Sequence, residues 1–181
     1  LLLLVGVLMS TISLPSCSER RLEERQKLSD QMEHSIKTEM LNVWYPRSVD
    51  TLYGGFLSTF THNWQPTGNQ DKMIVTQARH TWSNSKAAML YPGDPVFRKG
   101  AEHGFTFLRD VMWDREYGGF YQLVDRSGKP IEDMKTAYGN AFAIFGLSAY
   151  IMATADTVAM NLVKKAFSWL EKNSHDPVRK G

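Results

Sequence analysis

The stretch Asp71–Leu90, DKMIVTQARHTWSNSKAAML, determines how the rest of this chain is interpreted. Its apolar residues recur at three- and four-residue spacings, which predicts one long helix. Arg79 and Trp82 share a face of that helix that is otherwise largely apolar. A guanidinium group on such a face is costly unless it is paired or lines a polar cavity. The stretch therefore predicts a helix that lines a ligand pocket.

A second stretch, Met134–Ala153, repeats this pattern about 60 residues later, a period typical of repeat architectures. Lys135 takes the place of Lys72, and Asn140 takes the place of Gln77. We therefore expect two equivalent helices that lie side by side, with their Gln77 and Asn140 faces toward a common axis.

The loop before each of these helices is repeated as well. Asp50–Phe56, DTLYGGF, returns as Asp114–Phe120, DREYGGF, and a third copy begins near Asp176. Each repeat is predicted to hold an inner helix, an outer helix and a Gly-Gly-Phe loop followed by a short hairpin. The inner helices are predicted over 72–91 and 135–154, and the outer helices over about 97–112 and 157–173.

Repeated helix pairs either stack into an open solenoid or close into a toroid. The inner helices here mix aromatic and polar side chains, whereas those of a solenoid more often carry small and aliphatic ones. This mixture favours an all-α fold, an α/α barrel whose inner ring of helices lines a pocket.

The N-terminal region is predicted to be an export signal. Residues 1–16, LLLLVGVLMSTISLPS, form an apolar run that is short for a transmembrane helix. The run ends in Leu-Pro-Ser before Cys17, which resembles a bacterial lipobox and implies lipidation of Cys17. The alternatives are an ordinary signal peptide with an incidental cysteine and a transmembrane anchor. We assign 1–17 to the signal and 18–181 to the barrel domain, and we expect an exported periplasmic or outer-membrane lipoprotein.

Composition excludes several classes of function. The net charge is +2, from 21 basic and 19 acidic residues without a basic stripe, so nothing predicts a nucleic-acid partner. The single cysteine excludes an intramolecular disulfide. No metal-ligand spacing, phosphate loop or nucleophile elbow is present. The chain has no initiator Met and stops at Gly181 inside a repeated loop, so we interpret it as a fragment.

Motifs spaced across residues 44–181 resemble the N-acylglucosamine 2-epimerase and cellobiose 2-epimerase family. They are the run from Trp44 to Asp50, the Gly-Gly-Phe loop, Gln-Ala-Arg at 77–79 and AYGNAF at 137–142. The resemblance implies an (α/α)6 barrel, of which this chain would supply the N-terminal half. It also implies an isomerase that inverts C2 of a small sugar through an enediolate, with no cofactor and no metal.

The resemblance implies that Arg79 and Tyr138 line the substrate pocket, and we add Trp82 and Asn140 as candidates for substrate binding. Each has a structural alternative, and Asn140 in particular shares its repeat position with Gln77. The family's catalytic histidines lie on later inner helices, so we expect them beyond residue 181 and expect the fragment itself to be inactive.

The histidines within the chain are interpreted as mostly structural or exposed. His80 follows Arg79 and so points about 100° away around the helix. His62 lies on a loop that could reach the mouth of the pocket.

Two other functions fit the same barrel, because fold does not fix function. A glycoside hydrolase would need a pair of carboxylates facing the pocket. Asp50, Asp114 and Asp176 are equivalent loop residues of the repeats and do not supply such a pair. A non-catalytic carbohydrate-binding barrel is the other alternative.

Overall fold

The computed structural model describes residues 17–180. The chain divides into two units, residues 1–40 and 41–181. The expected signal peptide lies almost entirely outside the described residues, so export and lipidation at Cys17 remain predictions. Among residues 17–180, no helix is both long enough and apolar enough to cross a membrane.

The described part of the first unit is helical. Helix α1 spans Cys17–His34 and continues as a π-helical segment over Ser35–Leu41. Residues 18–45 carry a highly charged pattern with one apolar row at four-residue spacing, which predicts a helix, and the helix is confirmed. The side chains of that row are all exposed, namely those of Leu28, Met32, Ile36 and Met40.

The second unit begins with the short helix α2 and then contains two helix pairs. The helices are α2 (Asn42–Trp44), α3 (Ile74–Leu90), α4 (Pro95–Phe107, extended by a π-helical turn over Leu108–Met112), α5 (Ala137–Thr154) and α6 (Thr157–Ser174). The inner and outer helices predicted from the repeat are therefore confirmed, with ends that differ from the predicted ones by about two residues.

Local sequence explains where these helices begin. Asp94 caps α4 by accepting a hydrogen bond from the Val96 amide, with Pro95 in the first turn. Thr136 caps α5, and Asp156 caps α6 through the Ala159 amide. Helix α3 has no side-chain cap and instead follows directly on a strand.

The two inner helices, α3 and α5, pack directly on one another. Gly146 on α5 allows this contact, because a Cβ atom there would lie 2.5 Å from the carbonyl oxygen of Ala78 on α3. The main core fills the space between these helices and the outer pair, and its largest buried side chains include those of Ile74, Phe105, Leu108, Met112, Phe120 and Leu147.

A three-stranded antiparallel sheet covers one end of the helix pairs. Its order is β1-β2-β3, from strands β1 (Lys72–Met73), β2 (Leu123–Val124) and β3 (Pro130–Glu132). The hairpin predicted after Phe120 is confirmed as β2 and β3, while 56–60 forms only isolated bridges. The sequence did not predict β1, which pairs Lys72 with Val124 and so joins the first repeat to the second.

Candidate functional site

The Gly-Gly-Phe loops are held at one end by a repeated ion pair. Asp50 accepts hydrogen bonds from the Leu52 and Tyr53 amides through Oδ1, and Nζ of Lys72 lies 3.0 Å from its Oδ2. In the second repeat, Asp114 accepts from the backbone of 116 and 117 in the same way, and Nζ of Lys135 lies 2.6 Å from its Oδ2. The repeat-equivalent aspartates are therefore loop anchors, as the sequence predicts.

The third copy of the loop shows the same pattern. Oδ1 of Asp176 accepts hydrogen bonds from the backbone amides of Val178 and Arg179. In all three loops, the aspartate accepts hydrogen bonds from the backbone amides two and three residues after it. This shared pattern confirms that the repeat inferred from the sequence starts a third time.

Gln77 and Asn140 hold the other end of the loops. Gln77 accepts from the Phe56 amide at 2.7 Å and donates to the Phe56 carbonyl at 2.8 Å. Asn140 accepts from the Phe120 amide at 2.8 Å and donates to the Thr136 carbonyl at 2.9 Å. The shorter Asn side chain reaches only one group of the loop and turns its NH2 back to its own helix.

This arrangement corrects two predictions. Asn140 is 0% exposed, and its amide is satisfied by backbone groups, so it is not on a surface that can bind a substrate. The Gln77 and Asn140 side chains likewise face the loops within the protein instead of an open axis. The physical reason is that a buried loop peptide must have its hydrogen bonds satisfied, and the amide side chains supply them.

Three of the predicted site residues do come together on the exposed side of α3 and α5. The Arg79 guanidinium lies 4.8 Å from the centre of the Phe142 ring, and Tyr138 meets the same ring edge-on at 4.8 Å. Trp82 stacks on Phe145, with centroids 5.4 Å apart and planes 14° apart. We call these five residues the cation–aromatic face.

The cation–aromatic face is open to solvent. Tyr138 is 61% exposed, and a shallow cavity of about 310 Å³ lies over Tyr138, Ala141, Phe142 and Phe145. The face therefore offers a fixed cation, a phenol hydroxyl and flat apolar rings side by side. Such a mixture suits a ligand that is polar at its edge and apolar on its faces.

Phe142 and Phe145 were not assigned to the site from the sequence, although they connect its members. The signal was present, because Tyr138, Phe142 and Phe145 follow one another at four- and three-residue spacings and so share a helix face.

The histidine next to Arg79 is not part of this face. His80 stacks on Phe56 at 4.7 Å, and its Nδ1 lies 2.8 Å from the Tyr45 hydroxyl. Burial lowers the pKa of His80 from 6.5 to about 4, so the ring is neutral at physiological pH. Burial also raises the pKa of Tyr45. These contacts agree with the prediction that His80 points away from the pocket.

His103 is also engaged with the loop framework. Its Nε2 lies 2.7 Å from the Gly55 carbonyl oxygen, which accepts the hydrogen bond. His62 is exposed on the loop that follows the first Gly-Gly-Phe motif. Within residues 17–180, no three His, Cys, Asp or Glu side chains are grouped in a way that could hold a metal ion.

Paired inner and outer helices, with a cation and aromatic rings on the exposed side of the inner pair, define an α/α-barrel protein. A family model then identifies which kind. The chain belongs to the N-acylglucosamine 2-epimerase (GlcNAc 2-epimerase) family, whose model matches residues 54–181.

Curated relatives and solved structures agree with this assignment. The chain is 36% identical to a cellobiose 2-epimerase of Ruminococcus albus over 85% of its own length, and 31% identical to that of Bacteroides fragilis, also over 85%. It spans 37% and 39% of the length of these two relatives. The solved cellobiose 2-epimerase of Spirochaeta thermophila superimposes on 92% of the chain with a TM-score of 0.81 and 29% identity, and 40% of that structure is covered.

A more distant structure shares the fold alone. A family 76 glycoside hydrolase from a Bacteroides thetaiotaomicron strain superimposes with a TM-score of 0.59 at 16% identity. The predicted fold, part of an (α/α)6 barrel, is thus confirmed.

Proposed function

We propose that the full-length protein is a sugar 2-epimerase, which inverts the configuration at C2 of an aldose. The observation that carries the proposal is the cation–aromatic face, which lies on the inner helices of a chain from an epimerase family. Because the curated relatives are named cellobiose 2-epimerases, we propose a disaccharide of the cellobiose type as substrate, with N-acylglucosamine as the family's alternative.

The reaction determines which groups are needed. In the open-chain sugar, a base removes the C2 proton. The electron pair of that C–H bond forms a C1–C2 double bond, and the π pair of the C1 carbonyl moves onto its oxygen to give an enediolate. Return of a proton to the opposite face of C2 inverts the centre. The negative charge that develops on oxygen needs a fixed positive group or hydrogen-bond donor beside it.

Arg79 is the residue we assign to that charge. Its guanidinium is permanently protonated and lies over the Phe142 ring, which restricts the planes in which it can donate. A donor that is already oriented stabilises the enediolate without reorganising during the reaction.

Tyr138 and the stacked pair Trp82–Phe145 are assigned to binding. The Tyr138 ring packs edge-on against Phe142 and the residue is largely exposed, so the hydroxyl can donate to a sugar oxygen. The exposed aromatic rings present flat apolar surfaces to the C–H face of a pyranose.

The acid and base must be supplied elsewhere. Histidine suits both roles because its ordinary pKa is near physiological pH. His80 is half-buried, neutral and hydrogen-bonded to Tyr45, so we propose that the catalytic histidines lie beyond residue 181.

The experiment is to incubate the full-length protein with cellobiose in D2O and follow the C2 proton by NMR. We expect deuterium to enter C2 as the mannose-ended epimer accumulates. Release of free monosaccharides would favour the glycoside hydrolase alternative. A folded full-length protein that binds sugars but exchanges no C2 proton would favour the carbohydrate-binding barrel.

We also propose that the protein is exported and anchored by a lipid on Cys17. The support is the apolar run followed by Leu14-Pro15-Ser16 before this cysteine. Metabolic labelling with a fatty-acid analogue in a bacterial host tests this: the parent should be labelled and sediment with membranes. Cys17→Ser should remain unlabelled, and equal labelling of both forms would contradict the proposal.

A further inference from the structure

A second aromatic surface lies on the loop that follows the first Gly-Gly-Phe motif. It is an open notch of about 450 Å³ lined by Trp44, Ser58, Phe60, Thr61, His62 and Trp64, which we call the loop notch. Trp44 meets Phe60 and Trp64 edge-on, at 5.9 and 5.0 Å between centroids. None of these residues belongs to the cation–aromatic face.

The loop notch is built on a firmly held hairpin. The buried side chain of Gln70 accepts from the Ser58 amide at 3.1 Å and donates to the carbonyls of Thr59 and Thr67 at 2.6 Å each. Thr61 closes the tip, since its amide donates to the Gln65 carbonyl and its hydroxyl accepts from the Gln65 amide. The aromatic rings are therefore presented by an ordered turn.

Trp64 is strained in this turn. Its φ is 59°, in the left-handed region that a bulky side chain rarely adopts. Such strain is unfavourable to the folded state and concentrates at ligand-binding positions. A glycine or asparagine would form the same turn more easily, so the turn alone does not explain an indole at this position.

The chemistry of the notch matches a pyranose ring. Three partly exposed aromatic side chains supply apolar surface for the C–H face of a sugar, and Ser58, Thr61 and His62 place hydrogen-bonding groups around it. Open sides allow a chain of sugars to extend past the rings. The volume falls in the range of about 300–1,000 Å³ that is usual for small-molecule sites.

The notch is connected to the helix that bears Arg79. The Trp44 ring contacts His80 at 5.8 Å between centroids, and His80 follows Arg79 on α3. Because consecutive helical residues point about 100° apart, the notch and the cation–aromatic face lie on adjacent sides of one helix.

We propose that the loop notch is an accessory carbohydrate-binding site, which binds a pyranose unit of an oligosaccharide through Trp64 and Trp44. The choice of β-linked glucose units as ligand rests on the proposed epimerase function, whereas binding itself requires no turnover.

The test measures binding of cellotetraose and of glucose to the full-length protein by titration calorimetry and saturation-transfer NMR. All proteins carry Arg79→Ala, so that the cation–aromatic face is weakened. The loop variant is Trp64→Asn, which tolerates the positive φ, and His62→Ala is a second variant at an exposed position. Trp169→Phe, on α6 outside the notch, is the matched control.

We expect cellotetraose to bind the Arg79→Ala protein and the control equally, and Trp64→Asn to weaken this binding about tenfold, the effect of one lost aromatic contact. Glucose should bind weakly to all of them. Trp64→Asn in the parent background should keep its turnover of a disaccharide.

Unchanged cellotetraose affinity in folded Trp64→Asn would overturn the proposal, as would absence of binding by the Arg79→Ala protein. If Trp64→Asn does not fold, unchanged affinity in His62→Ala would overturn it instead. Either result leaves the epimerase proposal standing, since that proposal is decided by deuterium exchange at C2.

Discussion

His80 illustrates at the scale of a single residue how burial sets chemistry. The ring lies against Phe56, Trp44 and Tyr45. Among the contacts of residues 17–180, only its Nδ1 has a hydrogen-bonding partner, the Tyr45 hydroxyl. Protonation would place a cation in this aromatic shell, which explains why the pKa of His80 falls to about 4.

The first prediction concerns the pH dependence of stability. The unfolded chain binds a proton at His80 below pH 6.5, whereas the folded chain does so only below about pH 4. Stability is therefore fully present above pH 6.5 and falls as the pH is lowered to about 4, by about 3 kcal/mol in total. Urea unfolding between pH 7 and pH 4 measures this slope. His80→Phe should flatten it, while the exposed-histidine control His34→Gln should leave it unchanged.

The second prediction concerns Arg79 and Tyr138. Arg79→Lys in the full-length protein should lower kcat about 100- to 1,000-fold, because a lysine ammonium lacks the planar fork that orients the guanidinium. Tyr138→Phe keeps the ring and removes one hydroxyl, so it should reduce turnover without lowering the melting temperature. Steady-state kinetics with thermal melts separate these effects. If Arg79→Lys keeps a kcat close to that of the parent, the assignment is wrong and Arg79 has a structural role.

The site was partly predictable at this scale. The sequence identified Arg79, Trp82 and Tyr138, which the structure brings together. The assignment of Asn140 to substrate binding was wrong, although the spacing argued against it. Asn140 is two residues from Tyr138, and a separation of two places side chains on opposite sides of a helix. What the spacing could not show is that a loop peptide lies there and needs the amide.

At the scale of elements, ion pairs connect the Gly-Gly-Phe loops to strand β1, to the segment before α5 and to the turn between β2 and β3. Asp50 and Lys72 are 1% and 0% exposed, and Arg126 from the turn between β2 and β3 joins them, with Nε 3.0 Å from Oδ2 of Asp50. Burial alone would raise the pKa of Asp50, but the hydrogen bonds from Arg126 and Lys72 outweigh it and hold this pKa at about 2.

The third prediction follows from this difference in burial. Lys72→Met should destabilise the fold by about 3–5 kcal/mol, because it leaves a buried carboxylate without its fully buried partner. Arg126→Gln should cost at most about 1 kcal/mol, because this guanidinium is 41% exposed. Chemical denaturation measures the free energy of unfolding of both variants. The double variant Asp50→Asn/Lys72→Met tests whether the effects of the two residues are coupled. Equal losses from Lys72→Met and Arg126→Gln would contradict the prediction.

The fourth prediction concerns the contact between α3 and α5. Gly146→Ala would place a Cβ atom against the Ala78 carbonyl, and backbone cannot move aside as a side chain can. We expect a loss of about 1–3 kcal/mol, the usual cost of overpacking. Gly93→Ala is the matched control, because a Cβ atom there meets nothing within 4 Å. The melting temperatures of the two variants should differ clearly.

The sequence predicted the helices at this scale better than the strands. Long stretches such as α3 and α5 show a helical periodicity of apolar residues that is visible in the local sequence. Strands β1 and β2 contain two residues each, and their pairing depends on Lys72 and Val124 meeting across the fold. A local pattern holds no information about such a contact.

At the scale of the whole molecule, much apolar surface remains uncovered on the described helices. Tyr138, Phe145 and Met152 are exposed on α5, and Val158 and Phe167 are exposed on α6. The chain spans less than two fifths of its curated relatives, so in a longer protein further helices have this surface available for packing.

The fifth prediction tests that surface. Residues 18–181 expressed alone should bind a hydrophobic dye and associate at micromolar concentration, because exposed patches of this kind favour aggregation. The full-length protein should do neither. Dye fluorescence and light scattering make the comparison, and a monomeric, dye-free fragment with epimerase activity would contradict both this expectation and the expected inactivity of the fragment.

The pairing of Asp50 with Arg126 has a consequence for protein engineering. These residues are 76 positions apart, so the carboxylate of one Gly-Gly-Phe loop is paired with a turn of the next repeat as well as with Lys72. The repeat unit of the sequence therefore does not coincide with the unit that is held together by ion pairs in the structure. Chimeras that exchange repeats should be joined after Lys135, beyond the end of β3, so that Asp50 and Asp114 both keep the counter-ions of their own parent. Joining them before β2 would combine a loop from one parent with a guanidinium from another.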